Sequence, residues 1–164
     1  MIDDAERRKA YVAVEARLAA LLTLETDWIA ALATIVCELH HAFDYYHWTG
    51  FYRVVAPELL VIGPYQGTHG CLRIPFSRGV CGAAARTRKS QLVPDVTTRT
   101  DHIACASSTR SELVVPVLSP DGHTLAVLDV DSDYPAAFGE VDRLALESVC
   151  ATLAAQFPRG EGTI

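Results

Sequence analysis

Residues 111–132 read SELVVPVLSPDGHTLAVLDVDS. Two apolar, β-branched runs, Glu112 to Leu118 and Leu125 to Val130, flank Ser119-Pro120-Asp121-Gly122. That tight-turn sequence predicts antiparallel neighbouring strands. In the second run Asp129 and Asp131 alternate with Leu128 and Val130, so a period of two places both carboxylates on one face. Glu112 enters the first run on the face opposite Leu113 and Val115. Aspartate is disfavoured in strands, and carboxylates two residues apart repel, so the pair calls for cations or donors nearby. The three acids are candidates for gripping an ammonium group or supplying a proton. The competing reading makes Glu112 a solvated strand end and Asp131 the start of an exposed loop, DSDYP.

Outward from this hairpin, four further β-type runs precede it: Thr49 to Val55, Leu59 to Ile62, Cys71 to Phe76 and Gln91 to Val93, punctuated by Gly-Pro and Arg-Gly signals. If Trp48 leads the first, then Trp48, Gly50 and Tyr52 share a face. Two aromatics flanking a glycine leave a flat slot for an apolar or polarisable group, and sulfur–aromatic contacts contribute roughly 0.3–1.5 kcal/mol. Ordinary core packing accounts for either ring equally well. Helical spacing appears over residues 3–22 and 26–43. In the second, Trp28, Leu32, Ile35, Val36, Leu39 and Phe43 form an apolar stripe behind a Thr26/Asp27 cap. A last helix after Phe138 carries Val141, Leu144, Ala145, Val149, Leu153 and Phe157. Two helices, a mostly antiparallel sheet and a closing helix predict an α+β sandwich. Its helices are segregated to one face, and long loops around residues 63–71 and 94–111 cover the other. A small-ligand pocket is expected under those loops.

The 164 residues suffice for one domain, and 50% hydrophobic content is enough to build a core. The formal charge is −6, and no basic cluster is longer than Arg7-Arg8-Lys9, which argues against nucleic-acid binding. Glu25 and Asp27 interrupt the most hydrophobic stretch, and the acidic start does not look like an export signal, so the expectation is a cytoplasmic protein without membrane association.

Five cysteines, at 37, 71, 81, 105 and 150, do not suggest a stabilising disulfide framework. Cys37 and Cys150 fall on helices and read as structural. Cys71, Cys81 and Cys105 fall at predicted loop-to-strand junctions, from which they could meet above the sheet. Thiols that approach one another allow one to attack an oxidised substrate and another to displace the resulting sulfenic acid as a disulfide. Buried gap-filling cysteines are the plainer reading of each one singly. The wide spacings lack the paired pattern of structural zinc sites, and no pair of the six histidines has metal-ligand spacing, so no metal is expected.

The stretches HWTGFY (47–52), GPYQG (63–67), CLRIPFSRGVCGAAA (71–85), DHIACASSTRSELVVPV (101–117) and LAVLDVDS (125–132) closely resemble the free methionine-(R)-sulfoxide reductases, small single-domain GAF enzymes. The similarity spans roughly residues 26–156. It implies a GAF-like six-stranded antiparallel sheet and a GAF domain in 26–157 after an N-terminal helix in 1–25, while Pro158, Gly160 and Gly162 predict a loose tail at 158–164. Carried across by position, Cys105 matches the attacking cysteine, Cys71 the principal resolving cysteine and Cys81 a third that resolves or assists. Glu112, Asp129 and Asp131 match acids around the substrate amine and sulfoxide, and Trp48 and Tyr52 match the aromatic wall. The implied reaction is reduction of free L-methionine-(R)-sulfoxide through a cysteine sulfenic acid and an intramolecular disulfide. The implied reductant is thioredoxin, the implied assembly a homodimer, and no cofactor is required. The chain departs from many relatives at Ala106, where an aspartate is common, and at His47, where an asparagine is. Two other classes fit the same pattern: a GAF-type module sensing a small ligand such as a cyclic nucleotide, and a thiol redox switch acting on a partner protein.

Overall fold

The computed structural model describes residues 3–98 and 108–160. The order is α1 (Asp4–Leu22), α2 (Trp28–Ala42), β1 (Trp48–Ala56), β2 (Leu59–Gln66), β3 (Arg73–Pro75), α3 (Gly79–Thr87), β4 (Gln91–Val93), a 3-10 turn (Val96–Thr98), β5 (Ser111–Leu118), β6 (Thr124–Ser132) and α4 (Glu140–Gln156). The strands form one sheet in the order β3-β2-β1-β6-β5-β4, every neighbouring pair antiparallel. The hairpin read from residues 111–132 is the β5–β6 pair. Its turn closes with the Gly122 N–H donating to the Ser119 carbonyl at 2.8 Å, and Gly122 takes the positive φ of +81° that the turn requires.

Local chemistry sets the helix starts. Asp3 accepts from the Ala5 and Glu6 N–H groups at 2.8 and 2.9 Å, and Asp27 accepts from the Ala30 N–H at 2.8 Å. The stripe of Trp28, Leu32, Ile35 and Leu39 packs with Leu146, Val149 and Leu153 of α4 onto Phe51, Leu113, Val115, Leu128 and Val130 of the sheet. Burial of each such side chain favours folding by about 1.5–3 kcal/mol. Asp142, fully buried at the start of α4, ties these elements together. It accepts from the Tyr11 and Tyr45 hydroxyls at 2.8 and 2.7 Å and from the Gly139 N–H at 2.8 Å, and it pairs with Arg7.

The opposite face differs from the sequence expectation in one respect: it is covered by a helix as well as loops. α3 lays Val80, Cys81, Ala84 and Ala85 against Trp48, Tyr52, Val114 and Val127. Its sequence, GVCGAAART, offers two glycines and no capping side chain, so nothing local announces a helix. Tertiary fit supplies the reason. A Cβ at Gly82 would stand 2.6 Å from the Pro75 carbonyl oxygen, so only glycine lets the helix approach the end of β3 this closely. Cys81 therefore sits within a buried helix rather than at a loop-to-strand junction. Cys150 is buried as expected, whereas Cys37 is exposed, its sulfur 3.8 Å from His41 Nδ1.

Candidate active site

The sheet register assembles the site on the α3-covered face. Asp131 lies opposite Trp48 on β1 and Glu112 on β5, and Asp129 lies opposite Gly50 and Val114. Cross-strand partners share a face, so three adjacent strands present two neighbouring rows, Trp48–Asp131–Glu112 and Gly50–Asp129–Val114. Glu112 and Asp129 are each only 5% exposed, and Asp131 is partly buried. The competing reading of Glu112 and Asp131 as solvated ends therefore gives way: Glu112 is buried and Asp131 partly so. From above, α3 brings Cys81, whose thiol donates to Asp129 Oδ2 at 3.2 Å. Cys81 Sγ and one carboxylate oxygen each from Glu112 and Asp129 lie within 4.8 Å of one another.

The aromatic wall is larger than the sequence suggested. Trp48 stacks on Tyr52 with ring centroids 5.8 Å apart and on Tyr65 at 5.5 Å. Gly50 makes room for this stack: a Cβ there would stand 2.4 Å from Trp48 Cη2 and 2.6 Å from Tyr65 Cβ. The loop after β2 closes over the rings. Trp48 Nε1 donates to the Thr68 carbonyl at 3.0 Å, and a Cβ at Gly70 would stand 2.9 Å from the Tyr52 hydroxyl. Tyr65 was missed because Gly63-Pro64 reads as the end of a strand, whereas β2 runs through it to Gln66. Its pairing with Gly50 is the register that places it here. His47, before β1, donates its backbone N–H to the Asp131 carbonyl at 2.9 Å and accepts the Asp133 N–H at Nδ1 at 3.1 Å. It thereby fixes the end of β6 that carries the acids.

Of the three middle cysteines, Cys81 reaches the acids directly. Cys71 is partly buried, packs against the same apolar cluster and is disulfide-bonded. Cys105 lies outside the described residues.

A GAF domain family model matches residues 27–157. The chain is 40% identical over 131 residues to the free methionine-R-sulfoxide reductase of Saccharomyces cerevisiae, covering 76% of this chain and 73% of that protein. It is 37% identical over 134 residues to the Escherichia coli free methionine-R-sulfoxide reductase, covering 82% and 80%. Among solved structures, the free methionine-R-sulfoxide reductase of Neisseria meningitidis in complex with its substrate is 42% identical, with a TM-score of 0.86, covering 93% of this chain and 92% of that one. The chain belongs to the free methionine-R-sulfoxide reductase family of GAF-domain proteins.

In this family member the electrostatics of the acidic layer follow from burial. Desolvation pushes the Asp129 carboxyl up to about 7, partly opposed by the Cys81 thiol hydrogen bond. Asp131 is raised well above the ordinary carboxylate range by burial and then by the charges of Asp129 and Asp133. Burial, then the neighbouring Asp129 and Glu112 charges, also raise Cys81, which therefore stays a thiol at neutral pH. The layer thus retains protons through burial, and a cation brought against it would displace them to solvent. An ammonium group placed between these acids favours their ionised forms, and a carboxylic acid still holding its proton can donate it.

Among the described residues no helix is long and apolar enough to cross a membrane.

Proposed function

We propose that this protein reduces free L-methionine-(R)-sulfoxide to L-methionine, in a cavity where buried acids grip the α-ammonium and stacked aromatics hold the thioether end. The observation that carries the reading is the row Glu112–Asp131–Trp48 beside Asp129 and Cys81, charged and aromatic groups converging on one buried face. A peptide-bound methionine sulfoxide carries an amide in place of the ammonium and would leave the acids buried without their cation, so the site favours the free amino acid.

In the proposed cycle the Cys105 thiolate attacks the sulfoxide sulfur, and an acid of the Glu112, Asp129 and Asp131 set protonates the oxygen. Methionine departs and that oxygen stays on Cys105 as a sulfenic acid. The Cys71 thiol then attacks the Cys105 sulfur, releasing water and forming a disulfide, and an external dithiol protein reduces it by exchange. Supporting this pairing, Cys71 is disulfide-bonded while Cys37, Cys81 and Cys150 are free. Cys81, buried and hydrogen-bonded to Asp129, is cast as the thiol that assists. The cycle needs no metal or organic cofactor.

Thioredoxin is the reductant of this proposal. Residues 59–94, which carry Cys71, include Arg73, Arg78, Arg86, Arg88 and Lys89, while all twenty acidic residues lie elsewhere. These five basic residues are exposed, as is Leu72 beside Cys71. A cationic, partly apolar surface next to the disulfide suits an acidic dithiol protein. A homodimer through the terminal helices is supported by Val12 of α1 and Leu144 of α4, 65% and 55% exposed. A reducing cytoplasm is the compartment in which such thiols cycle.

The test supplies each methionine sulfoxide diastereomer, free or within a peptide, together with thioredoxin, thioredoxin reductase and NADPH. NADPH should be consumed with the free R form only. Cys105→Ser should abolish even a single turnover, whereas Cys71→Ser should still release up to one methionine per site. NADPH consumption with the peptide form equal to that with the free form would contradict the proposal.

A further inference from the structure

We infer that Cys81, Glu112 and Asp129 form an inhibitory site for a borderline-soft divalent cation of the Zn²⁺ class, which occupies the acidic layer in place of the substrate's ammonium. The three donors come from α3, β5 and β6, are all buried, and lie within 4.8 Å of one another. The Cys81 Sγ to Asp129 Oδ2 separation of 3.2 Å already approaches the roughly 3.5 Å edge between a sulfur and an oxygen on one tetrahedral zinc ion. Drawing the Glu112 carboxylate in from its place within 4.8 Å of the other two donors would complete three ligands and leave a fourth position open. A second observation points to a cation independently of this spacing: Asp129 Oδ1, on a residue 5% exposed, has no hydrogen-bond partner among the described residues.

The donor set selects the metal. One sulfur and two carboxylates suit Zn²⁺, whereas Ca²⁺ and Mg²⁺ want six or more oxygens, several of them water. Binding replaces the Cys81 S–H bond by a sulfur–metal bond, the thiol proton and the proton that burial retains on Asp129 both passing to solvent, and no electron moves. The three ligands then carry three negative charges against two positive ones, so the cation offsets most of the charge that their ionisation introduces. This site is unlike the structural zinc site that the cysteine spacing argues against, because it uses a single cysteine and is completed by strand residues distant in sequence. Its occupation would block the ammonium subsite. Binding itself does not depend on the proposed reaction; only the loss of activity does.

The experiment uses the full chain carrying Cys37→Ser, which removes the exposed Cys37–His41 pair as a competing ligand set. Zn²⁺ is titrated by calorimetry in buffers of different ionisation enthalpy, and Co²⁺ is followed by its thiolate-to-metal charge-transfer absorption. Expected are one ion per chain, proton release on binding, a Co²⁺ charge-transfer band, and weaker binding when free methionine is added. The band should vanish in Cys81→Ser. Should that variant not fold, Glu112→Gln provides the second arm: Zn²⁺ affinity should fall by more than about tenfold while the band remains. A missing band in the Cys37→Ser protein, a band that survives Cys81→Ser, or unchanged affinity in Glu112→Gln would overturn the inference. If metal binds as described but reductase activity is unaffected or absent, the failure lies in the reaction proposed above and the metal site stands.

Discussion

Replacing Asp129 with asparagine should stabilise the substrate-free protein at alkaline pH while destroying its function. Asp129 keeps its shape and its hydrogen bond from Cys81 in this exchange, because an amide oxygen also accepts, so the change isolates one buried charge. In the unfolded chain the carboxyl titrates near 3.8; in the fold, burial holds its proton up to about 7. Between these values the folded state binds more protons than the unfolded state, so stability falls as pH rises through the window. At about 1.36 kcal/mol per tenfold change in proton activity, the interval corresponds to about 4 kcal/mol, and relaxation around the charge reduces it toward about 2. Asparagine carries no such linkage. Urea unfolding at pH 4 should therefore find the two proteins alike within about 1 kcal/mol, and at pH 8 should find Asp129→Asn more stable by about 2–4 kcal/mol with an unchanged denaturant slope. A variant less stable than the parent at pH 8, or a difference that does not grow between pH 4 and pH 8, would refute the assignment of a buried, proton-retaining carboxyl at this position.

Three further perturbations test other parts of the account. Asp142→Asn should cost about 3–5 kcal/mol in urea unfolding, because it leaves the Arg7 guanidinium buried without its anion and weakens the bonds from Tyr11 and Tyr45. Gly50→Ala should push the Trp48 ring off its stack, costing about 1–3 kcal/mol of stability and raising KM for the sulfoxide more than it lowers kcat, with a change in tryptophan fluorescence as the structural check. Arg73→Glu combined with Arg78→Glu should lower kcat/KM for thioredoxin by about tenfold at low salt and flatten its salt dependence, while turnover supported by dithiothreitol stays unchanged.

Much of the site's layout was legible in strand periodicity. Alternation alone put Asp129 and Asp131 on one face and Trp48, Gly50 and Tyr52 on another strand's face; pairing of β1, β6 and β5 made these the same face. The turn at Ser119–Gly122 was legible because a single local sequence dictates it. What escaped depends on contacts between distant residues. α3 is helical because Gly82 fits against Pro75 and its small residues fill the layer above β5 and β6, a tertiary reason that overrides a glycine-rich, uncapped sequence. Tyr65 joins the aromatic wall only through its register with Gly50. The tie from Arg7 and Tyr11 to Asp142 joins residues more than 130 positions apart, beyond any periodicity.

The central claim is that sulfurs 71 and 105 exchange oxidation state with the substrate once per turnover. Fully reduced protein, freed of reductant and mixed with one equivalent of free methionine-(R)-sulfoxide, should yield one methionine per site. Peptide mass spectrometry of the quenched product should find a Cys71–Cys105 disulfide, with Cys37, Cys81 and Cys150 still alkylatable after denaturation. Methionine released with both Cys71 and Cys105 remaining as free thiols would contradict the account.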